Sequence, residues 1–356
     1  MTDAVPAIAD VRTRLIRIPL SRPWGKDVTD IRVVEVTVVC DDGSDGHGFS
    51  WTPSIGGTAV QAMLDDDLAP FLRGRPAVPE LWSDAWAHLH EAGGGGVTTI
   101  ALAGVDLALW DRRARVAGTS VTGVLGRNHS RLPVYGSGVN LHYTLDELVA
   151  QTERWVSAGN EAVKIKVGRP DPAEDLDRVA AVRSVIGPDR RLLVDANQRW
   201  DLDTATRRIQ SLSVHGLGWV EEPLRADDLA GHAELRRRID VPVALGENLH
   251  TVHRFRDFLD AGAVDVVQPN VIRVGGITPF LRIAELARER RVELAPHLLP
   301  ELSAQVAFAL PEQNWIEDVE DAGFAALGAL SEPTGLDIAN GWITGRPGLG
   351  LGLRFH

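Results

Sequence analysis

The chain reads as an α/β protein, a parallel (β/α) barrel preceded by an α+β module, and three observations carry that reading. After residue 132, eight short apolar strands alternate with helical stretches. Three of those strands end on a lone acid: LLVDAN at Asp195, WVEEP at Glu221 and ALGEN at Glu247, at equal intervals of 26 residues. That interval is about one strand, loop, helix and loop of such a barrel. The residues before 132 follow a different pattern, first alternating and then helical.

Composition narrows the class. With 356 residues the chain is long enough for two domains or a barrel with an addition. Hydrophobic residues at 44% and charged residues at 24% suit a soluble globular protein and argue against disorder. A net charge of -12, with no long cluster of Lys and Arg to offset it, argues against a nucleic-acid or anionic-membrane partner. A small-molecule substrate is expected. The opening MTDAVPAIADVRTRLIRIPL has an early acid and no sustained apolar core, so neither a signal peptide nor a membrane span is expected, and a cytoplasmic location is. A single cysteine, Cys40, cannot form an internal disulfide and suits a packed strand position.

In chain order, RTRLIRIPL and RVVEVTVVC alternate around the polar segment SRPWGKDVTD, and DDGSDG follows as a turn, which predicts an antiparallel meander. AVQAMLDDDLAPFL and ALAGVDLALWDRRARVAG carry helical spacing. Between them EAGGGGVTT lacks the Lys-Ser or Lys-Thr of a phosphate loop and reads as a flexible bend. The barrel strands follow as PVYGSG, AVKIKVG, RLLVDAN, LGWVEEP, PVALGEN, DVVQPN, VELAPH and NWIED. Helices such as LDRVAAVRSVIG and FLRIAELARERR have the mixed charge of an outer ring with one wet face. The expected division is residues 1–128, residues 129–323 for the barrel, and a glycine-rich segment 324–356 returning to the first module. A doubly wound open sheet is the alternative, but its ligands gather at one switch point, not around a ring of strand ends.

Carboxylates at the C-terminal ends of neighbouring strands converge at the barrel mouth, where three such charges repel unless a divalent cation sits among them. Hard oxygen ligands favour Mg²⁺ over zinc or copper. Glu222, the neighbour of Glu221, is expected to point away by strand alternation and to matter less. In AVKIKVG, Lys164 and Lys166 share the face opposite Val163, Ile165 and Val167. On an isolated strand this would be a solvated face, since lysine is seldom buried alone. Here the acids and cation supply partners, and each ammonium is expected to make the other easier to deprotonate, giving a general base. VELAPH places His297 at the end of the seventh strand and NWIED places Glu317 at the end of the eighth. Elsewhere His297 would read as a hydrogen-bonded core or surface residue, and Glu317 as part of a solvated acidic run with Asp318, Glu320 and Asp321.

Together these residues resemble the enolase superfamily and, within it, the mandelate racemase subgroup. The likeness rests on Lys-x-Lys, the three spaced acids, EEP, GEN, RVGGIT, APHLLPELS, ALAGVDLALWD and PGLGL, and spans nearly the whole chain. It implies a modified TIM (β/α) barrel under an α+β capping domain, with Mg²⁺ held by Asp195, Glu221 and Glu247. It further implies Lys166 as the base on one face of a small carboxylate substrate, Lys164 aiding carboxylate binding or tuning its neighbour, and His297 serving the other face. Glu317 would hydrogen-bond a substrate carboxylate oxygen. A homo-oligomer is also expected.

One position departs from the pattern. Asn270, in VVQPN, stands where the racemase subgroup has an aspartate paired with the histidine, and where related cycloisomerases and dipeptide epimerases have a lysine. Its amide oxygen is expected to accept the His297 ring N–H and keep the same tautomer, without the negative charge that stabilises imidazolium. A racemase needs two competent bases, whereas a dehydratase starts with one. The leading expectation is therefore Mg²⁺-dependent dehydration of a sugar acid or another 2-hydroxy acid. A racemase or epimerase, and a homologue that binds metal and ligand without turnover, are the alternatives. SRPWGKDVTDIR and FSWTPSIGG are expected to overhang the mouth as loops. Lys26, Asp27, Thr29, Ser50, Thr52 and Ser54 would then contact a polyhydroxy acid, or Trp24 and Trp51 would line an aromatic pocket.

Overall fold

The structure, a computed structural model, describes residues 5–25 and 27–356. Strands β1 (Ile8–Trp24), β2 (Val28–Cys40) and β3 (Asp45–Pro53) form an antiparallel meander in that order. Val34, Val36, Val38 and Cys40 of β2 are buried in the core of the cap, while Glu35, Thr37 and Val39 between them are half-buried, the period of two that a one-faced sheet requires. Both expected loops are largely strand. β1 runs on through SRPW, and Trp24 pairs with Val28, so only residues 25–27 separate β1 from β2. FSWTP belongs to β3. Apolar and ionic contacts explain the extension: Trp24 packs against Trp51 at 6.5 Å, and Arg22 lies 3.7 Å from the Tyr143 ring and bonds Glu147 on the barrel side.

The helix Val97–Val116 is buried along most of its length because it is sandwiched between this sheet and the barrel. A second helical run, Gly57–Leu72, contains a π-helical segment over Met63–Leu68 and packs beside that helix on β1 and β2, completing the cap core.

Eight parallel strands follow: β4 (Arg131–Ser137), β5 (Ala162–Lys166), β6 (Arg191–Asp195), β7 (Leu217–Glu221), β8 (Val243–Leu245), β9 (Val266–Val267), β10 (Glu293–Leu294) and β11 (Ile316–Val319). Because the last, β11, pairs with the first, β4, the sheet curls back on itself and the open doubly wound alternative is excluded. Among the described residues no ladder joins β10 to β11. Glu317 bridges that seam instead, accepting from the backbone N–H of Leu298 at 3.0 Å. Below the strand ends the interior is filled by Tyr135 and Trp219, edge to face at 5.7 Å, with Ala162, Ala244 and Ala295 making room for them. Val163, Ile165, Val194 and Val220 point outward into the helix layer.

Two further strands, β12 (Leu336–Ala339) and β13 (Trp342–Gly345), form a hairpin whose second strand adds antiparallel to β4. The tail then reaches the cap. Leu351 N–H donates to Asp111 at 2.7 Å, and Phe355 packs edge-on against Phe49 and Phe324 at 5.3 and 5.0 Å.

Cap and barrel are also joined through RVGGIT. Asp106 of the buried cap helix accepts from the backbone and hydroxyl of Thr278, at 3.0 and 2.5 Å, at the start of the helix Ile277–Glu289. An acceptor there answers the unpaired N–H groups of a helix start. Gly276 permits the approach, since a Cβ at that residue would lie 2.3 Å from an Asp106 oxygen and its φ is +113°. No helix among the described residues is long and apolar enough to cross a membrane.

Candidate active site

Asp195 and Glu221 are the last residues of β6 and β7, and Glu247 follows β8 by two residues. Each offers one carboxylate oxygen, and the three oxygens lie within 4.8 Å of one another, all in buried side chains. Gly246 makes the turn that brings Glu247 in: its φ is +140°, and a Cβ would sit 2.8 Å from the backbone nitrogen of Gln268. Three buried hard-oxygen donors at this spacing suit a small divalent cation such as Mg²⁺. Supporting bonds orient them. Asn197 N–H donates to Asp195 at 2.7 Å, Gln268 to Glu221 at 2.6 Å, and Asn248 to Glu247 at 3.0 Å.

Lys164 and Lys166 both point inward, with different surroundings. Lys164 is fully buried, and its ammonium contacts both oxygens of Glu221, at 2.8 and 2.7 Å, and Glu317 at 2.7 Å. Lys166 pairs with Asp195. At Lys166 the expected effect is present, since the Lys164 ammonium lowers its pKa, but the acids outweigh it. Burial opposes the charge on Lys164, but Glu221 and Glu317 outweigh it and raise its pKa well above the usual lysine value. Lys166 is also raised, with Asp195 outweighing burial and the nearby Lys164. On the acid side, burial pushes Glu221 up to about 8 against the pull of Lys164. Glu317 shows the reverse: despite burial, the Lys164 ammonium holds it at about 2. Glu317 accepts from Lys164, from the Ser137 hydroxyl at 2.8 Å and from Leu298 N–H.

His297 stands opposite Lys166, with Nε2 2.8 Å from Glu247. Asn270 contacts its other nitrogen, but not as expected. The amide oxygen accepts from the backbone N–H groups of Ile272 and Arg273, at 3.0 and 3.1 Å, so it is the amide nitrogen that faces His297 Nδ1, at 3.1 Å. The turn after β9 captures the oxygen, and the ring meets the other end of the amide.

Above the acids lies a cavity of about 230 Å³. Its polar lining includes Lys166, Asn197, Glu247, His297, Glu317 and Ser137, and its apolar lining includes Trp24, Val28, Trp51, Pro53, Val139 and Leu298. Lys164, Asp195 and Glu221 lie outside this lining. Among the described residues, the polar cap residues expected to meet a polyhydroxy acid are not in the cavity lining. Asp27 and Thr29 are exposed on the hairpin, Ser50 donates to the carbonyl of Ile100, Thr52 is buried, and Ser54 donates to the carbonyl of Asp30. Lys26 lies outside the described residues. Because these stretches are strands, alternation turns Trp51 to the mouth and Ser50 to the cap helix.

Two further residues near the site lie in the quoted motifs RVGGIT and EEP, though their roles there do not follow from the motifs alone. Arg273 lines the cavity and donates to the Glu247 carbonyl and to Asn248, at 2.9 and 2.7 Å. Glu222 lies outside the acid triad, as expected, but for a different reason from strand alternation. The strand ends at Glu221 and Glu222 has φ +38°, so alternation no longer applies. It is buried, accepts from Gln198 and from the Asn248 amide that also touches Glu247, and burial together with Glu247 and Asp195 raises its pKa well above the usual carboxyl range. Positive φ values also follow Asp195, at Asn197 and Gln198, and His297, at Leu298 and Leu299. Backbone strain thus gathers where the strands release their side chains into the mouth.

Family models agree with this architecture. Residues 8–126 match the mandelate racemase / muconate lactonizing enzyme N-terminal domain, and residues 147–356 match the enolase C-terminal domain-like model. The chain belongs to the mandelate racemase/muconate lactonizing enzyme family of the enolase superfamily. Within this family, it is 36% identical to 3,6-anhydro-alpha-L-galactonate cycloisomerase of Streptomyces coelicolor, covering 98% of each chain. It is 34% identical to L-talarate/galactarate dehydratase of Salmonella typhimurium, over 96% of this chain and 88% of that one. The structure of L-talarate dehydratase from Polaromonas sp. JS666 complexed with Mg and L-glucarate superposes with a TM-score of 0.85 at 35% identity, covering 98% of this chain and 95% of that one.

Proposed function

We propose that the protein is a Mg²⁺-dependent lyase that removes the α-proton of a sugar acid or another 2-hydroxy carboxylate and releases the β-hydroxyl as water, giving a 2-keto product. The observation that carries this reading is the placement of Lys166, which of the two strand lysines is the one that lines the cavity, beside the acid triad. A proton next to a carboxylate is barely acidic, because its loss yields an enediolate with two negative charges. Held by Asp195, Glu221 and Glu247, Mg²⁺ would supply a Lewis acid and a template for the substrate carboxylate. Lys166 takes the α-proton at Nζ once Asp195 no longer holds it as an ammonium. Lys164, with its hydrogens committed to Glu221 and Glu317, keeps the charge balance of the floor and the orientation of both acids. Trp24, Trp51 and Leu298 exclude water from the reacting face.

Dehydration is favoured over racemisation because His297 lacks a carboxylate partner at residue 270. The names of the Salmonella and Polaromonas relatives support a sugar-acid substrate. A second reading keeps the same proton abstraction but expels a ring oxygen in place of hydroxide. The apolar cap wall favours it, since a cyclic substrate presents fewer hydroxyls to Trp24 and Trp51, and the Streptomyces relative is a cycloisomerase.

Incubating the Mg²⁺-loaded protein with pentonic, hexonic, hexaric and anhydro-sugar acids, and assaying 2-keto products, tests the reading. A keto product is expected. Solvent deuterium exchange with inversion and no keto product would make the protein a racemase or epimerase, and ligand binding without exchange would make it a non-catalytic binder.

A further inference from the structure

The amide at residue 270 sets the hydrogen-bond polarity of the imidazole beside it. Its oxygen accepts from two backbone donors, Ile272 N–H at 3.0 Å and Arg273 N–H at 3.1 Å. Its nitrogen faces two acceptors, His297 Nδ1 at 3.1 Å and the His297 carbonyl oxygen at 3.4 Å. Reversing the amide would set oxygen against oxygen on one side and two pairs of N–H groups against each other on the other. Four contacts therefore select one orientation. With the amide donating toward it, Nδ1 presents its lone pair. A neutral imidazole whose Nδ1 accepts carries its hydrogen on Nε2. Nε2 is the nitrogen on the side of Glu247, which lines the cavity.

We infer that Asn270 is a positioning residue that fixes His297 as the Nε2–H tautomer, so that the ring offers the substrate a hydrogen-bond donor and not a base. An aspartate at residue 270 would impose the opposite polarity, accepting from Nδ1–H and freeing the Nε2 lone pair. The substrate group that suits an Nε2–H is an acceptor oxygen on the face away from Lys166, such as the departing β-oxygen. This consequence rests on the proposed α-proton abstraction, but the tautomer itself is measurable without turnover.

The test is the pair of ring ¹⁵N shifts of His297 in the Mg²⁺-loaded protein, assigned by their loss in His297→Gln. The expected result is an unprotonated Nδ1 and a protonated Nε2 in the native protein. Asn270→Asp should move the hydrogen to Nδ1. A protonated Nδ1 in the native protein, with or without a hydrogen on Nε2, overturns the assignment whether or not Asn270→Asp folds. For a substrate that turns over, α-deuterium incorporation adds a second reading: one configuration exchanges in the native protein, and Asn270→Asp gains the other. Equal exchange of both configurations by the native protein would also overturn it.

Discussion

Lys164 on β5 and Glu317 on β11 meet at 2.7 Å inside the barrel, although β4 stands between their strands. Both are almost fully buried, and the same ammonium also holds Glu221. Removing one partner of a buried ion pair typically costs about 3–5 kcal/mol, because the remaining charge loses its compensation. Lys164→Met should therefore lower stability in urea by about 3 kcal/mol or more without divalent metal. Added Mg²⁺ should restore part of the loss by neutralising Glu221. An unchanged midpoint without metal would show that the pair does not carry this load.

Glu221→Gln should weaken Mg²⁺ binding severely, since it removes one charge from the triad at nearly constant volume. Glu222→Gln is expected to weaken it less, by about 10- to 100-fold, through the shared Asn248 amide that orients Glu247. Calorimetric titration with Mg²⁺ separates the two. Equal affinities in the native protein and the Glu221 variant would remove Glu221 from the ligand set.

The apolar cap wall makes a prediction about specificity. Trp51→Ala should raise KM by about tenfold or more for the preferred substrate while leaving the fold and Mg²⁺ affinity intact, because it opens a cavity of only about 230 Å³. Bulkier acids should be accepted in compensation. Steady-state kinetics on a graded series of acids would show it, and an unaltered substrate range would mean that the cap wall does not select.

Asp106 adds a pH dependence to the cap-barrel seam. Burial pushes its carboxyl from the ordinary 3.8 up to about 7, against the Thr278 bonds. Folding therefore takes up a proton at this group between those values. Its contribution to stability is greatest below about pH 4 and falls as pH rises through about 7, with an upper bound of about 4 kcal/mol. Asparagine cannot titrate, so Asp106→Asn should gain stability relative to the native protein as pH rises from about 4 to about 7. Parallel urea-unfolding profiles for the two proteins across that window would contradict the shift.

The eight barrel strands, the meander and the acid triad were legible because each left a periodic or spaced trace: short apolar runs, alternation, and acids one repeat apart. RVGGIT was visible as a motif, but its reason, the approach of Asp106 to Thr278, joins residues far apart in the chain. In the cap hairpin Ser21, Pro23 and Gly25 carry turn chemistry, whereas contacts of Trp24 and Arg22 with distant aromatics hold the segment as strand. Lysine protonation depended on distances that sequence cannot supply: Asp195, Glu221 and Glu317 outweigh any effect of one lysine on the other. Asn270 was found as a departure, but the direction of its hydrogen bond followed from two backbone N–H groups beyond the reach of residue identity.

The central claim is that Lys166 is the base, and α-proton exchange in deuterium oxide tests it most directly. Lys166→Ala, loaded with Mg²⁺ and given a substrate that the native enzyme turns over, should lose α-deuterium incorporation while keeping its fold and its binding of metal and ligand. Exchange at the native rate in that variant would contradict the account and place the base elsewhere in the cavity.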